Sequence, residues 1–329
     1  MANPHQDPAH PSVTFTPWRR LAVVGCGQMG SSILRAAKLR SLAGTTVALE
    51  HSGAVRKRVG ELHLADEWGA DPSLVAGADC ILLCVPVHQV LPVLASLAPH
   101  VAPGAVVGDV ASVRCGLEGA PALLPQASYV PTHPMAGTER SGPDGGSATL
   151  FEGRWCLLTP QPGQNPQDVT RMVAFWRQCG ANTKVLAPNV HDQFCALVSH
   201  LPHALAYSLC RTLEGQCMSA AELQAMAGPS LASATRVAAS DPALWAGILQ
   251  ANRHAVLKAL DGFSAQLDTL RALLAAKPET QQGSGGAPST SPPQASTQAL
   301  LQAQGQALLG WLEQAQAIKT NTPPTCPGS

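Results

Sequence analysis

Between Leu21 and Ala37, three glycines at fixed intervals join an apolar run to a helical pattern, and few folds accommodate that arrangement. Leu21-Ala22-Val23-Val24 is short and wholly apolar, as suits a strand buried on both faces. It runs into Gly25-Cys26-Gly27-Gln28-Met29-Gly30, after which Ile33, Leu34 and Ala37 recur at helical spacing. In a strand–turn–helix unit the first glycine makes the turn, the second lets a pyrophosphate approach the backbone, and the third lets helix pack on strand. The helix start offers free N–H groups and the positive end of its dipole to phosphate. The expected fold is an α/β Rossmann-type doubly wound sheet that binds a dinucleotide. A second strand, residues 45–49, ends at Glu50, 20 residues past Gly30. An acid there takes the ribose hydroxyls and repels a 2′-phosphate, which favours NAD over NADP. Arg56-Lys57-Arg58 follow; they are either a solvated helix face or a reach for a 2′-phosphate, so NADP stays open.

Further strands are expected at 80–85, from 105, at 129–130 and at 154–159, with a helix over 168–179 and residues 183–186 closing the sheet. Val85 and Pro86 fall at a carboxyl strand end, where such folds hold their ligands, and join Gly25, Gly27, Gln28, Met29, Gly30 and Glu50 as cofactor candidates. Ser112 closes the run Gly108-Asp109-Val110-Ala111-Ser112, either capping a following helix or facing substrate at the sheet edge. Residues 129–139 read YVPTHPMAGTE, so prolines bracket His133 and stiffen the chain around it. It is either a proton acceptor or a structural histidine at a strand end. Asp144-Gly145-Gly146-Ser147 forms a glycine-rich loop placed to cover the site.

From Asn189 the sequence turns helical and rich in Ala and Leu. His191-Asp192 opens this part; Ser199 and His203, four apart, share a helix face, and Pro202 interrupts the ladder between them. The spacing of these histidines matches no zinc signature, so no metal is expected; polar donors for an anionic ligand, or surface histidines, fit better. Arg236 sits on a bare, small-residue face, either as a surface residue or as a fork for a carboxylate. Val256, Leu260, Phe263, Leu267, Leu270 and Leu274 form a long apolar stripe, and Leu301, Leu308, Leu312 and Ile318 mark a last helix. The expected organisation is a disordered tail over 1–17, a Rossmann domain over 18–186, an all-α substrate and dimerisation domain over 187–320 with a flexible linker inside 277–297, and a tail over 321–329. Wide apolar helix faces suggest a homodimer through that second domain.

Zero net charge with only 13% charged residues leaves no basic surface for nucleic acid. Ten scattered cysteines without a CxxC pair fit buried thiols in a reducing compartment. The polar, proline-containing N-terminus has no apolar signal region, and no apolar run approaches the ~18 residues of a membrane span, so a cytoplasmic location is expected.

Together, Gly25–Gly30, Asp109-Val110-Ala111-Ser112, His133-Pro134-Met135-Ala136-Gly137-Thr138-Glu139, His191-Asp192, Ser199-His200-Leu201-Pro202-His203 and Arg236 through Trp245 resemble the prephenate/arogenate dehydrogenases of tyrosine biosynthesis, over about residues 21–274. The two histidine-containing strings are far more specific than the glycine motif. Arg114 departs from the lysine usual in that family. The resemblance implies NAD-dependent oxidative decarboxylation of prephenate, or of arogenate. It implies His133 as base at the ring hydroxyl and Ser112 as its partner. Arg236 would hold a substrate carboxylate, with His203, Ser199, His191 and Trp245 around the substrate and Glu139 at the pocket mouth. Some members carry a C-terminal regulatory domain, for which the stretch after Lys277 looks too short. A β-hydroxyacid dehydrogenase would need a helix-borne lysine, and Lys184 and Lys258 sit in no such motif. A cofactor-sensing module without chemistry is the remaining rival, against which the intact His133, Ser112 and Arg236 set argues.

Overall fold

The computed structural model describes residues 15–138, 140–214, 218–275 and 294–320. Both expected tails, the linker and Glu139 lie largely or wholly outside them. Six parallel strands build the main sheet: β1 (Trp18–Val24), β2 (Ala43–Leu49), β3 (Glu67–Gly69), β4 (Cys80–Leu83), β5 (Val106–Asp109) and β6 (Ser128–Tyr129), in the order β3-β2-β1-β4-β5-β6. Helices α1 (Gln28–Leu39), α2 (Gly53–Glu61) and α3 (Val90–Leu97) connect them. Strand pleating divides the core in two. Leu21 and Val23 pack with Ile33, Leu34 and Ala37 of α1, while Ala22 and Val24 pack with Val90, Leu94 and Leu97 of α3. The strand order reverses between β1 and β4, which opens a crevice at their carboxyl ends.

The later strands do not extend this sheet as expected. β7 (Thr132–Pro134), β8 (Trp155–Leu158) and β9 (Asn182–Val185) form a second, three-stranded sheet, β7 antiparallel to β8 and β8 parallel to β9. Residues 183–186 therefore close this sheet and not the main one. The reason lies in Pro131: β6 pairs with β5 for only two residues, and the proline then removes a donor and turns the chain. Between β8 and β9, α4 (Pro166–Gln178) buries Met172, Val173, Phe175 and Trp176.

The chain then becomes helical through α5 (Pro188–Cys195), a π-helical turn over Ala196–His200, and α6 (Leu201–Thr212). Pro202 falls in the first turn of α6, so the wider turn before it accommodates the residue that cannot donate to the ladder. There follow α7 (Ala220–Met226), α8 (Pro229–Thr235), a 3-10 turn over Arg236–Ala239, and α9 (Pro242–Ala251), which Asp241 caps. The sheets and these helices belong to one compact unit that runs to Val256. A second unit, from Leu257, holds most of α10 (Arg253–Ala275) and α11 (Gln294–Thr320). Within it Trp311 donates to Gln266 at 3.4 Å, and Leu267, Leu274, Leu309, Leu312 and Ile318 stay exposed.

Candidate active site

At the end of β1, Gly25 takes φ +89°, and a Cβ there would lie 2.5 Å from the Cys84 carbonyl oxygen. A Cβ on Gly30 would collide with the Gly25 carbonyl. Gly27, by contrast, has nothing within 4 Å of its would-be Cβ, and no side chain caps α1. Two glycines thus shape the turn, while the third leaves room over uncapped N–H groups, which fits a diphosphate. Val85 borders Gly25, and exposed Pro86 follows it. Glu50 is buried; its carboxylate accepts from the Cys26 and Ser52 N–H groups, both at 2.8 Å. These bonds pin it beside the turn and leave Oε2 a second lone pair, while His51 Nδ1 lies 3.1 Å from Oε1. Arg56 donates to the Glu50 and His51 carbonyls, and Arg58 grips Asp144 and Glu61, so both arginines have partners.

The loop after β7 reaches the same turn. Gln28 donates to Thr138 at 2.6 Å and accepts from the Thr138 N–H at 3.1 Å, and a Cβ on Gly137 would lie 3.7 Å from Met29 Cε. The glycine-rich stretch beyond is docked on α1: Ser147 N–H donates to Ser32, and Arg35 to the Pro143 carbonyl. His133, in the middle of β7, thus stands five residues before a segment that touches the nucleotide crevice.

His133 heads a chain of side chains from two elements. Its Nδ1 lies 2.9 Å from His191 Nε2 on α5, and His191 Nδ1 lies 2.8 Å from the Asp192 carboxylate. The Arg114 and Cys115 N–H groups also donate to Asp192, each at 2.8 Å. Those bonds, with the His191 bond, hold its carboxyl below the usual range although burial works the other way. An ionised Asp192 accepts only, so His191 carries its proton on Nδ1 and accepts at Nε2. His133 then carries its own proton on Nδ1, and its Nε2 keeps a lone pair with no protein partner among the described residues. Burial, then the neighbouring His191, Arg114 and His200, push His133 well below the ordinary histidine value, so it is neutral at pH 7.

Arg114 explains how the loop after β5 holds Asp192. Its guanidinium is buried and forks onto Asp109 at 3.0 and 2.7 Å, a bidentate grip that a lysine cannot make. Burial opposes its charge, but Asp109 outweighs that and raises its pKa. Asp109 also takes the Tyr129 hydroxyl at 2.6 Å, and its carbonyl takes Thr132. Asn252 closes the far side by donating to the Asp192 carbonyl at 2.9 Å.

One of the two readings of Ser112 falls here, and the expectation for His191 changes. No helix starts at Ser112, so it caps nothing; its half-buried hydroxyl makes no hydrogen bond among the described residues and stays available. His191 does not line a pocket: it is wholly buried behind His133 and reaches the site only through it. Beside Ser112, Val113 packs on Trp245 and Ile248 of α9. Trp245 stacks on His203, ring centroids 3.4 Å apart, and His203 Nδ1 lies 2.9 Å from the Ser199 carbonyl. Arg236 is exposed on its 3-10 turn, near enough for its charge to help lower the His203 pKa after burial has done so. In the sequence, Asp109 stands out only as part of the run ending at Ser112, Asn252 carries no signal, and the His191-Asp192 dipeptide is the one pointer to Asp192.

The family model for the nucleotide-binding domain of prephenate dehydrogenase matches residues 34–185, and that for its dimerization domain matches residues 187–282. A cyclohexadienyl dehydrogenase of Zymomonas mobilis is 36% identical over 266 residues, covering 80% of this chain and 91% of that protein. The chain belongs to the prephenate dehydrogenase family. Among solved relatives, a Synechocystis arogenate dehydrogenase is 30% identical, with a TM-score of 0.68 over 78% of this chain and 91% of that one. A prephenate dehydrogenase from Aquifex aeolicus, solved with hydroxyphenyl propionate and NAD+, shares the fold at a TM-score of 0.79 and 24% identity, over 93% and 98% of the two chains. Family membership makes the chain an oxidoreductase with a nucleotide-binding Rossmann domain, as the glycine turn requires. No described helix is long and apolar enough to cross a membrane.

Proposed function

We propose that the chain catalyses NAD-dependent oxidative decarboxylation of prephenate to 4-hydroxyphenylpyruvate. The carrying observation is the Asp192–His191–His133 chain, which leaves one unprotonated imidazole nitrogen beside a segment that reaches the nucleotide turn. Bound NAD supplies the hydride acceptor. The substrate ring gives up a hydride from C4 and carbon dioxide from the opposite ring carbon, while its 4-hydroxyl proton passes to the protein and returns to the phenolate oxygen once the ring is aromatic. Aromatisation supplies the driving force, so the chain has mainly to orient the ring and take the proton. His133 Nε2 takes it, and the imidazolium that results is stabilised through His191 by Asp192. Ser112 orients the same hydroxyl. Arg236 holds a substrate carboxylate, His203 and Ser199 bind alongside, and Trp245 fixes His203 by stacking. Gly25, Gly27, Gln28, Met29, Gly30, Val85 and Pro86 hold the dinucleotide, with Glu50 on the ribose and against NADP. Glu139 at the pocket mouth lies outside the described residues.

The second reading is arogenate as substrate, favoured by the 30% identity to an arogenate dehydrogenase. The two substrates differ only in a keto or amino group on the side chain, remote from His133. We also propose a homodimer. Val190, Phe194, Leu197 and Val198 form one exposed apolar stripe on α5 and the turn after it, in the span that the dimerization model matches. The deciding experiment gives purified protein NAD with prephenate or arogenate and follows reduced-nicotinamide absorbance. Faster turnover of prephenate supports the first reading, faster turnover of arogenate supports the second, and no reduction with either rejects both.

A further inference from the structure

One thiol stands beside the relay without a part in it. Cys195, one turn after His191 on α5, is buried, with Sγ 3.5 Å from His191 Nε2 and 3.6 Å from His133 Nδ1. The three donor atoms lie within 4.8 Å of one another. Tetrahedral zinc with Zn–N of about 2.0–2.1 Å and Zn–S of about 2.3 Å implies N···S edges of roughly 3.5–3.6 Å and an N···N edge of roughly 3.3 Å. Both N···S separations already match, but Sγ also lies 4.0 Å from His191 Nδ1, so it stands beside that imidazole and the ring has to turn to aim Nε2 at a shared ion. The 2.9 Å N···N separation has to open by only a few tenths of an ångström.

We propose that this cluster is an inhibitory zinc site, in which His133 Nδ1, His191 Nε2 and Cys195 Sγ bind Zn²⁺ and switch off the base; it rests on His133 being that base. The outer contacts are already those of a metal-binding histidine: Asp192 takes the His191 Nδ1 proton and fixes Nε2 as the free donor. One imidazole pair and one thiolate suit a borderline-soft cation, and three protein ligands leave the fourth position to water.

The proton balance gives the inhibition its mechanism. Cys195 releases its thiol proton to solvent and binds as thiolate. His191 keeps its Nδ1 proton. His133 gives its Nδ1 lone pair to the metal, and as a neutral imidazole it then carries its proton on Nε2. The nitrogen that should accept the substrate proton is thereby capped, with no loss of the fold or of the nucleotide crevice.

The test uses the full-length protein, zinc and cobalt. Equilibrium dialysis should find one tightly held Zn²⁺ per chain, with turnover falling on the order of 10²-fold at saturation and returning with a chelator. Co²⁺ should give a tetrahedral visible spectrum with a sulfur-to-cobalt charge-transfer band in the near ultraviolet, whether or not the protein turns over prephenate. Cys195→Ser should lose that band and the zinc sensitivity while keeping turnover. A cobalt spectrum without the sulfur band, or equal zinc inhibition of wild type and Cys195→Ser, overturns the site. If the serine variant does not fold, the wild-type cobalt spectrum alone decides. The sulfur band with no turnover of either substrate keeps the site but rejects the functional reading.

Discussion

The glycine turn and the imidazole relay solve their tasks by opposite means. The turn is six consecutive residues, Gly25–Gly30, whose backbone is dictated on the spot: two positions exclude a Cβ and one needs open space above it. The relay joins β7 to α5 across 58 residues of sequence, and each of its bonds depends on packing elsewhere. Arg114 must fork onto Asp109 for the loop after β5 to offer its N–H groups to Asp192. A local device of this kind tolerates distant change and fails at once to a change within it. A long-range device fails by degrees, as each support is removed.

Removing the base is expected to have the largest effect. His133→Asn should lower kcat on the order of 10²–10⁴-fold while cofactor affinity, measured by titration, stays put; near-normal turnover would refute the role. Within the turn, Gly30→Ala forces a methyl into the Gly25 carbonyl and should destabilise the protein by more than about 3 kcal/mol in denaturant melts. Gly27→Ala meets no protein atom, so it should melt normally yet bind NAD more weakly. Equal melting losses for the two alanines would contradict the division of labour among the glycines.

Asp192→Asn sharpens the comparison from the other side. It turns one of the two accepting oxygens into a donating amide, so the imidazole tautomers are no longer fixed, and it loses the charge that stabilises the imidazolium. A fall in kcat of about 10–100-fold, with KM near its original value, is expected. A change confined to KM would place Asp192 in substrate binding instead.

Acid probes the same imidazoles in the whole molecule. Burial lowers the pKa of His133 and His191, and it brings His200 down to about 4 from 6.5. The unfolded chain takes up protons below pH 6.5 that the folded chain refuses. Stability is therefore complete above that pH and is lost as pH falls towards 4, by up to about 1.4 kcal/mol per pH unit for each group. Thermal midpoints should drop between pH 7 and pH 5, whereas a flat profile would mean that these imidazoles are not held neutral.

The same contrast explains what the sequence disclosed. The turn, the strand before it and Glu50 were legible because spacing alone fixes them. His133 was legible because prolines flank it, and the helical character of residues 189–274 because apolar positions recur. The second sheet was not legible, since β8 reads like any buried strand and only the two-residue pairing of β6 diverts the chain. Ser112 stayed open between a cap and a substrate-facing residue because a small polar residue after a strand can be either, and turns follow it. The relay was hidden for a simpler reason: a His-Asp dipeptide does not say which imidazole it will meet.

Nitrogen-15 NMR of the histidine side chains, with Asp192→Asn as the control for assignment, tests the relay most directly. At pH 7 both His133 and His191 should be neutral with the proton on Nδ1, leaving the His133 Nε2 lone pair free for the substrate hydroxyl. A His133 protonated on Nε2, or doubly protonated at that pH, would contradict its part as the base.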